Sequence, residues 1–206
     1  MDVFEVLYTT RAMRRLKPDP VPPEVIARIV DAGVRAPSPG PVDAQAWRFV
    51  AVTDRAVMAE LGEMWRTARD ALLERMPDLY ANERQASSSR YLHDHFDEVP
   101  LLILGYGPEG MGANTVVQAC WSMCLAARAE GLGSTYTTLL AQHGPAVDRI
   151  LGVPADAGVR LFASLPIGYP LGRWGVAPRQ PAHEVTFADH WGTPPPWTAT
   201  APPFAR

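Results

Sequence analysis

Apolar positions along the chain follow two rhythms, and each rhythm predicts an element. Val3, Phe4, Val6 and Leu7 follow an acidic start and predict a short helix over Asp2 to Thr9. Val25, Ile26, Ile29, Val30 and Gly33 mark one face of a helix that opens at Pro23-Glu24 and ends before Pro37. The stretch Pro37-Ser-Pro-Gly-Pro41 cannot be regular structure, because four of its five residues are Pro or Gly. Trp47 to Thr53 reads as the first strand and Pro100 to Tyr106 as the second. Between them lie helical patterns from Ala56 to about Met76, stopped by Pro77, and from about Asn82 to Phe96. A helix from about Asn114 to Glu130 is apolar nearly all round, which predicts burial in the core or at a subunit interface. Gly131-Leu-Gly133 ends it; a strand from Ser134 to Leu140, a helix from Pro145 to Leu151 and a strand from Val159 to Leu165 follow. From Thr193 onward the Pro-rich sequence has no periodicity. Strands separated by helices predict an α+β or α/β layered sheet.

Length turns this pattern into one domain. With 206 residues, 47% of them hydrophobic, the chain has enough material for a single core. A net charge of −3 gives no basic field for nucleic acid or an anionic membrane. The apolar stretches are broken before they reach the length of a bilayer span, and the acidic start does not match a secretory leader, so a cytoplasmic location is expected. Eighteen of the nineteen basic residues are Arg, with Lys17 the exception, so forked recognition of a phosphate becomes worth testing. Cys120 and Cys124 stand four apart on the apolar helix and read as small buried hydrophobes.

Two tempting motifs fail on geometry. Gly105-Tyr-Gly-Pro-Glu-Gly110 fits a dinucleotide fingerprint between a strand and a helix, but the helix starts only near Asn114 and no acid lies at the tip of the next strand. His93-Asp-His95 looks like a metal pair, yet residues two apart on a helix face different ways. What remains are phosphate- and ring-binding elements. Arg11, Arg14 and Arg15 cluster after the first helix, Ser38 and Gly40 sit in a Pro-rich loop, Gln45 precedes the first strand, and Arg179 stands near the far end.

The order of these segments resembles the FMN-dependent nitroreductase family over nearly the whole chain. The resemblance is carried by Thr10-Arg-Ala-Met-Arg-Arg-Leu-Lys-Pro-Asp-Pro-Val-Pro22, Arg35-Ala-Pro-Ser38, Gln45-Ala-Trp-Arg-Phe49, the helix of Gln118 ending in Ala126-Ala-Arg-Ala-Glu-Gly-Leu-Gly-Ser134, and Leu165-Pro-Ile-Gly-Tyr-Pro170 with Arg179. It implies an α+β fold: a three-layer α-β-α sandwich with a mainly antiparallel central sheet, assembled as an intertwined homodimer. The domain would span 1–192, with a helical lid at about 62–96, and the tail 193–206 would run extended over the partner.

The resemblance further implies FMN as cofactor, NAD(P)H as electron donor, and a small nitroaromatic, quinone or enone as acceptor, reduced in a ping-pong cycle. Arg11, Arg14 and Arg179 would hold the phosphate and ribityl chain, with Arg15 beside them. Ser38, Pro39, Gly40 and Gln45 would meet the flavin from one side, and Thr137, Thr138 and Leu139 would run beside its ring. Trp65, Tyr80 and Tyr91 are the lid aromatics expected to stack on substrate. No side chain is assigned as acid or base, because the flavin carries the chemistry. The chain departs from the pattern at Thr10 and Ala12, and in the Ser38-Pro-Gly-Pro-Val-Asp-Ala-Gln45 loop, which is longer and lacks an Asn. Reductive dehalogenation, oxygen-driven flavin cleavage and flavin sequestration without turnover stay open as alternatives, the second disfavoured by Ala12.

Overall fold

Among the described residues four strands build one sheet: β1 (Arg48–Val52), β2 (Leu101–Pro108), β3 (Gly133–Ser134) and β4 (Val159–Gly168). Their order is β1-β2-β4-β3 and each pairing is antiparallel. The computed structural model describes residues 1–38, 45, 47–80, 82–110 and 113–199. Among them the helices are α1 (Val3–Thr9), α2 (Pro23–Gly33), α3 (Arg55–Arg75), α4 (Glu83–Asp94), α5 (Asn114–Ala129) and α6 (Gly144–Leu151). By contacts the chain divides into a larger unit, Arg11–Arg173, and a smaller one joining Met1–Thr10 to the segment from Trp174 onward.

The larger unit is layered because β2 is apolar on both faces. Leu101 and Ile103 pack toward α2 and α5, together with Val116, Cys120 and Met123. Leu102, Leu104 and Tyr106 point the other way, into a second core with Met58, Leu61 and Trp65 of α3, Leu92 of α4 and Val147 of α6. Period-2 alternation thus feeds two separate cores from one central strand. A bulge adjusts β4: Gly105 pairs with Ala163 and Tyr106 with Leu161, so Phe162 is extra, and both Phe162 and Ala163 turn toward α5.

Local chemistry sets the helix ends. Asp54 accepts from the amides of Ala56 and Val57 at 2.8 and 3.0 Å to start α3, and Asn82 accepts from Gln85 N at 3.1 Å to start α4. Gly152 closes α6 in the left-handed region, at φ 68°. The glycines of the false dinucleotide motif have a packing role. A Cβ on Gly105 would meet Cys120 Sγ at 2.8 Å, and one on Gly107 would meet Val116 Cγ2 at 2.6 Å. They let α5 lie close against β2.

One expectation is corrected. The strand expected over Ser134 to Leu140 shrinks to Gly133–Ser134, followed by a 3-10 turn at Leu140–His143. The chain still runs beside β4, with Thr135 N donating to Pro166 O and Thr137 exchanging two bonds with Ser164. Pro166, having no N–H, cannot return the bond opposite Thr135, so the ladder loses regularity there. In the single chain helix α5 buries one face and leaves Val117 and Trp121 39% and 43% exposed.

In the smaller unit Ala177 N donates to Tyr8 O at 2.9 Å, and the Phe187 and Trp191 rings meet at 4.8 Å. The first residues of the expected tail are tied in: Thr193 O accepts from Ala188 N, and Ala199 N reaches His183 Nδ1. No helix among the described residues is long and apolar enough to cross a membrane.

The α5 thiols give a first test. Burial pushes Cys120 up to about 12 and Cys124 up to about 11, against about 8.5 for an exposed thiol. A disulfide-exchange reagent at about pH 8 should leave both thiols of the native protein unlabelled and titrate both after unfolding. The native state holds these protons more tightly than the unfolded state. Their contribution is therefore complete below about pH 8.5 and falls as pH rises toward 11–12. Burial and its bond to Asp148 push the Tyr106 hydroxyl up as well, adding to the alkaline loss. Rapid labelling of native protein would contradict the packing of α5.

Candidate active site

The arginine segment is laid into the larger unit as an added, strand-like piece. Met13 N donates to Ser134 O at 2.9 Å, Lys17 N to Tyr169 O at 2.8 Å, and Leu171 N to Arg15 O at 2.9 Å. Met13 and Leu16 turn inward and are buried, whereas Arg11 and Arg14 are half-buried and Arg15 is exposed. Arg55 secures the segment from below, donating to the carbonyls of Pro18, Asp97 and Val99 at 3.0 to 3.3 Å. Sequence reasoning missed Arg55, because nothing local ties residue 55 to residue 18.

The three arginines differ in their surroundings. Arg11 donates through Nη2 to Arg173 O at 2.8 Å, while its buried Nε has no hydrogen-bond partner among the described residues. Arg14 is half-buried and has neither a carboxylate nor a carbonyl partner among the described residues. Burial pulls its pKa down, and the nearby Tyr80 offsets this only in part. Arg15 is engaged elsewhere: it donates to Ser87 Oγ at 2.7 Å and lies over the Tyr91 ring, 5.5 Å from its centre. The structure therefore joins Arg15 to α4. Arg179, in the smaller unit, is exposed and donates to Pro178 O at 2.7 Å.

The ring-facing candidates are placed as follows. Ser38 and Gln45 are half-buried on either side of the loop, and the Gln45 carbonyl accepts from Arg48. Pro39 and Gly40 lie outside the described residues. Thr137 is half-buried and fixed by Ser164, Thr138 is exposed, and Leu139 is buried in the core shared with α3. Thr135 Oγ1 donates to Met13 O at 3.3 Å, which ties the 134–139 segment to the arginine segment.

Of the lid aromatics, Trp65 is core. It is 3% exposed and stacks on Phe96 at 5.1 Å. Tyr91 is half-buried and stacks on His95 at 4.1 Å. Tyr80 is half-buried, and its hydroxyl bonds Ser89 Oγ, which accepts in turn from the buried Arg69. Arg69 and Ser89 also escaped sequence reasoning. The two histidines part as helix geometry requires: His93 lies between Asp94 and Asp70, and His95 bonds the Tyr91 carbonyl. No group of three or more metal-binding side chains occurs among the described residues.

Arg11 Nε and the half-buried Arg14, neither with an anionic partner among the described residues and both carried on one backbone segment, form a donor set that suits a phosphate. The chain is 27% identical over 182 residues to iodotyrosine deiodinase 1 of Rattus norvegicus, covering 82% of this chain and 62% of that protein. It thus spans about three-fifths of the length of such deiodinases. It is 31% identical over 184 residues to 5,6-dimethylbenzimidazole synthase of Rhodospirillum rubrum, covering 82% of each. A crystal structure of oxidized iodotyrosine deiodinase bound to FMN and 3-iodo-L-tyrosine superposes with a TM-score of 0.69 at 22% identity, covering 87% of this chain and 95% of that one. The family model described as Nitroreductase family matches residues 7–169, and the chain belongs to that family.

Proposed function

We propose that the protein is an FMN-dependent oxidoreductase that takes hydride from NAD(P)H and reduces a small nitroaromatic, quinone or enone in a ping-pong cycle. The observation that carries this reading is Arg14, a half-buried guanidinium with no anionic partner of its own among the described residues. A cation in that setting wants an anion, and a phosphate satisfies both its charge and its fork. Arg11 would add its free Nε. Ser38 and Gln45, with Pro39 and Gly40 between them, and the Thr137–Leu139 segment would border the ring. FMN bound there supplies the hydride chemistry; the side chains bind, orient and keep water out. Tyr80 and Tyr91 would border the acceptor, and Trp65 would support them from the core.

The functional assembly is proposed to be a homodimer. Val117 and Trp121 form an exposed apolar strip on α5 that a second copy would cover. A second reading of the chemistry, reductive dehalogenation, is favoured by the deiodinases among the relatives.

One purified preparation tests these points together. It should be yellow with bound flavin and dimeric by light scattering. NADPH or NADH should bleach it anaerobically, and a nitroarene or quinone should restore the colour. A colourless protein that takes up no FMN on titration overturns the proposal. Turnover of 3-iodotyrosine in preference to nitroarenes would select the second reading.

A further inference from the structure

Ser89 is 1% exposed on α4, and among the described residues its hydroxyl meets two groups: Arg69 Nε at 3.1 Å and the Tyr80 hydroxyl. A guanidinium N–H can only donate, so Ser89 Oγ accepts from Arg69. The Ser89 hydrogen then needs an acceptor, and among the described residues its hydroxyl meets the Tyr80 oxygen. The reverse order, Tyr80 donating to Ser89, would leave the buried Ser89 hydrogen without a partner among the described residues. The direction is thereby set from Arg69 through Ser89 to Tyr80. Arg69 is itself held, since its Nη1 donates to Asp70 Oδ1 at 2.9 Å. Tyr80 is half-buried, so its own hydrogen is left for a group outside this chain of bonds.

We propose that Arg69, Ser89 and Tyr80 form a one-way donor relay that presents the Tyr80 O–H to the electron acceptor. The site then selects acceptors carrying a hydrogen-bond-accepting oxygen, as in a nitro group, a quinone carbonyl or a carboxylate. Tyr80 touches the substrate; Arg69 and Ser89 are positioning residues. This rests on the reading that FMN binds beside the arginine segment with the acceptor near the lid. Without Arg69, Ser89 is free to accept from Tyr80, and the phenol turns inward although it is still present. Arg69→Met should therefore mimic Tyr80→Phe, a result that a merely structural role would not give.

The test isolates the oxidative half-reaction. Holoprotein reduced anaerobically with dithionite is mixed with p-benzoquinone, 4-nitrobenzoate or ferricyanide, the last an outer-sphere acceptor that needs no such bond. Tyr80→Phe, Ser89→Ala and Arg69→Met should each raise the half-saturating quinone or nitroarene concentration about tenfold, the worth of one hydrogen bond. Ferricyanide rates should not change. Arg69→Lys, still a pure donor, should stay within about threefold of the parent. The Tyr80→Phe/Arg69→Met double variant should match either single one. Unchanged saturation in Tyr80→Phe, or additive losses in the double variant, overturns the relay. Failure of the underlying reading shows earlier and separately, as protein that binds no FMN before any acceptor is added.

Discussion

Replacing Arg14 by Met should weaken FMN binding about a hundredfold while making the flavin-free protein more stable. The two signs have one cause. Arg14 holds a charge that burial disfavours and that no carboxylate among the described residues offsets. Charge-assisted bonds to a phosphate contribute about 2–3 kcal/mol, which corresponds to roughly a hundredfold in affinity. In the flavin-free state the same charge is a cost, and an apolar side chain of similar length should recover about 1 kcal/mol. For a chain of this length that raises Tm by about 2–4 °C. Arg11→Met should also lose affinity but should not stabilise, because it breaks the 2.8 Å bond to Arg173 O. Titration of each flavin-free variant with FMN, followed by fluorescence quenching, and thermal melts without flavin read both effects. Unchanged FMN affinity in Arg14→Met would remove Arg14 from the cofactor site. A lower flavin-free melting temperature would assign it a structural role.

How much of this was legible in the sequence depends on the distance over which each feature is built. Helices α2, α3 and α6 were readable because their apolar spacing and terminal Pro, Asp or Gly signals are local. The arginine segment was half legible. Its pattern showed a cluster, but the inward turn of Met13 and Leu16 depends on bonds to Ser134, Tyr169 and Leu171, far along the chain. That placement separates Arg14, which has no anionic partner among the described residues, from Arg15, which is spent on Ser87 and Tyr91. The strand expected over 134–140 failed for a similar reason, since the irregularity arises in its partner, at Pro166. The apolar circumference of α5 could not say which side the fold leaves exposed; Val117 and Trp121 face outward. Arg69 and Ser89 left no trace at all, because an Arg and a Ser twenty residues apart meet only when α3 and α4 pack.

That packing has a keystone, and removing it should give the largest loss of stability. Phe96 is fully buried (0% exposed) in the turn between α4 and β2, with its ring stacked on Trp65 of α3. Truncation to Ala leaves a cavity bounded by Trp65, Leu92 and their neighbours in the second core, which rigid helices can fill only in part. The expected cost is about 3–5 kcal/mol. For a chain of this size that lowers Tm by roughly 10–15 °C. Phe96→Leu, which keeps most of the volume, should cost less than about 1.5 kcal/mol. The loss should also be local in its functional consequence. Arg69 and Ser89 stand on the two helices that Phe96 wedges in place, whereas the arginine segment is held by Ser134, Tyr169 and Arg55. Phe96→Ala at a temperature where it is still folded should therefore bind FMN as the parent does but saturate with quinone only at higher concentration. Chemical denaturation and the two binding curves measure this directly. A drop in FMN affinity equal to the drop in acceptor affinity would show that the lid and the arginine segment yield as one body, and the division of labour between them would fall.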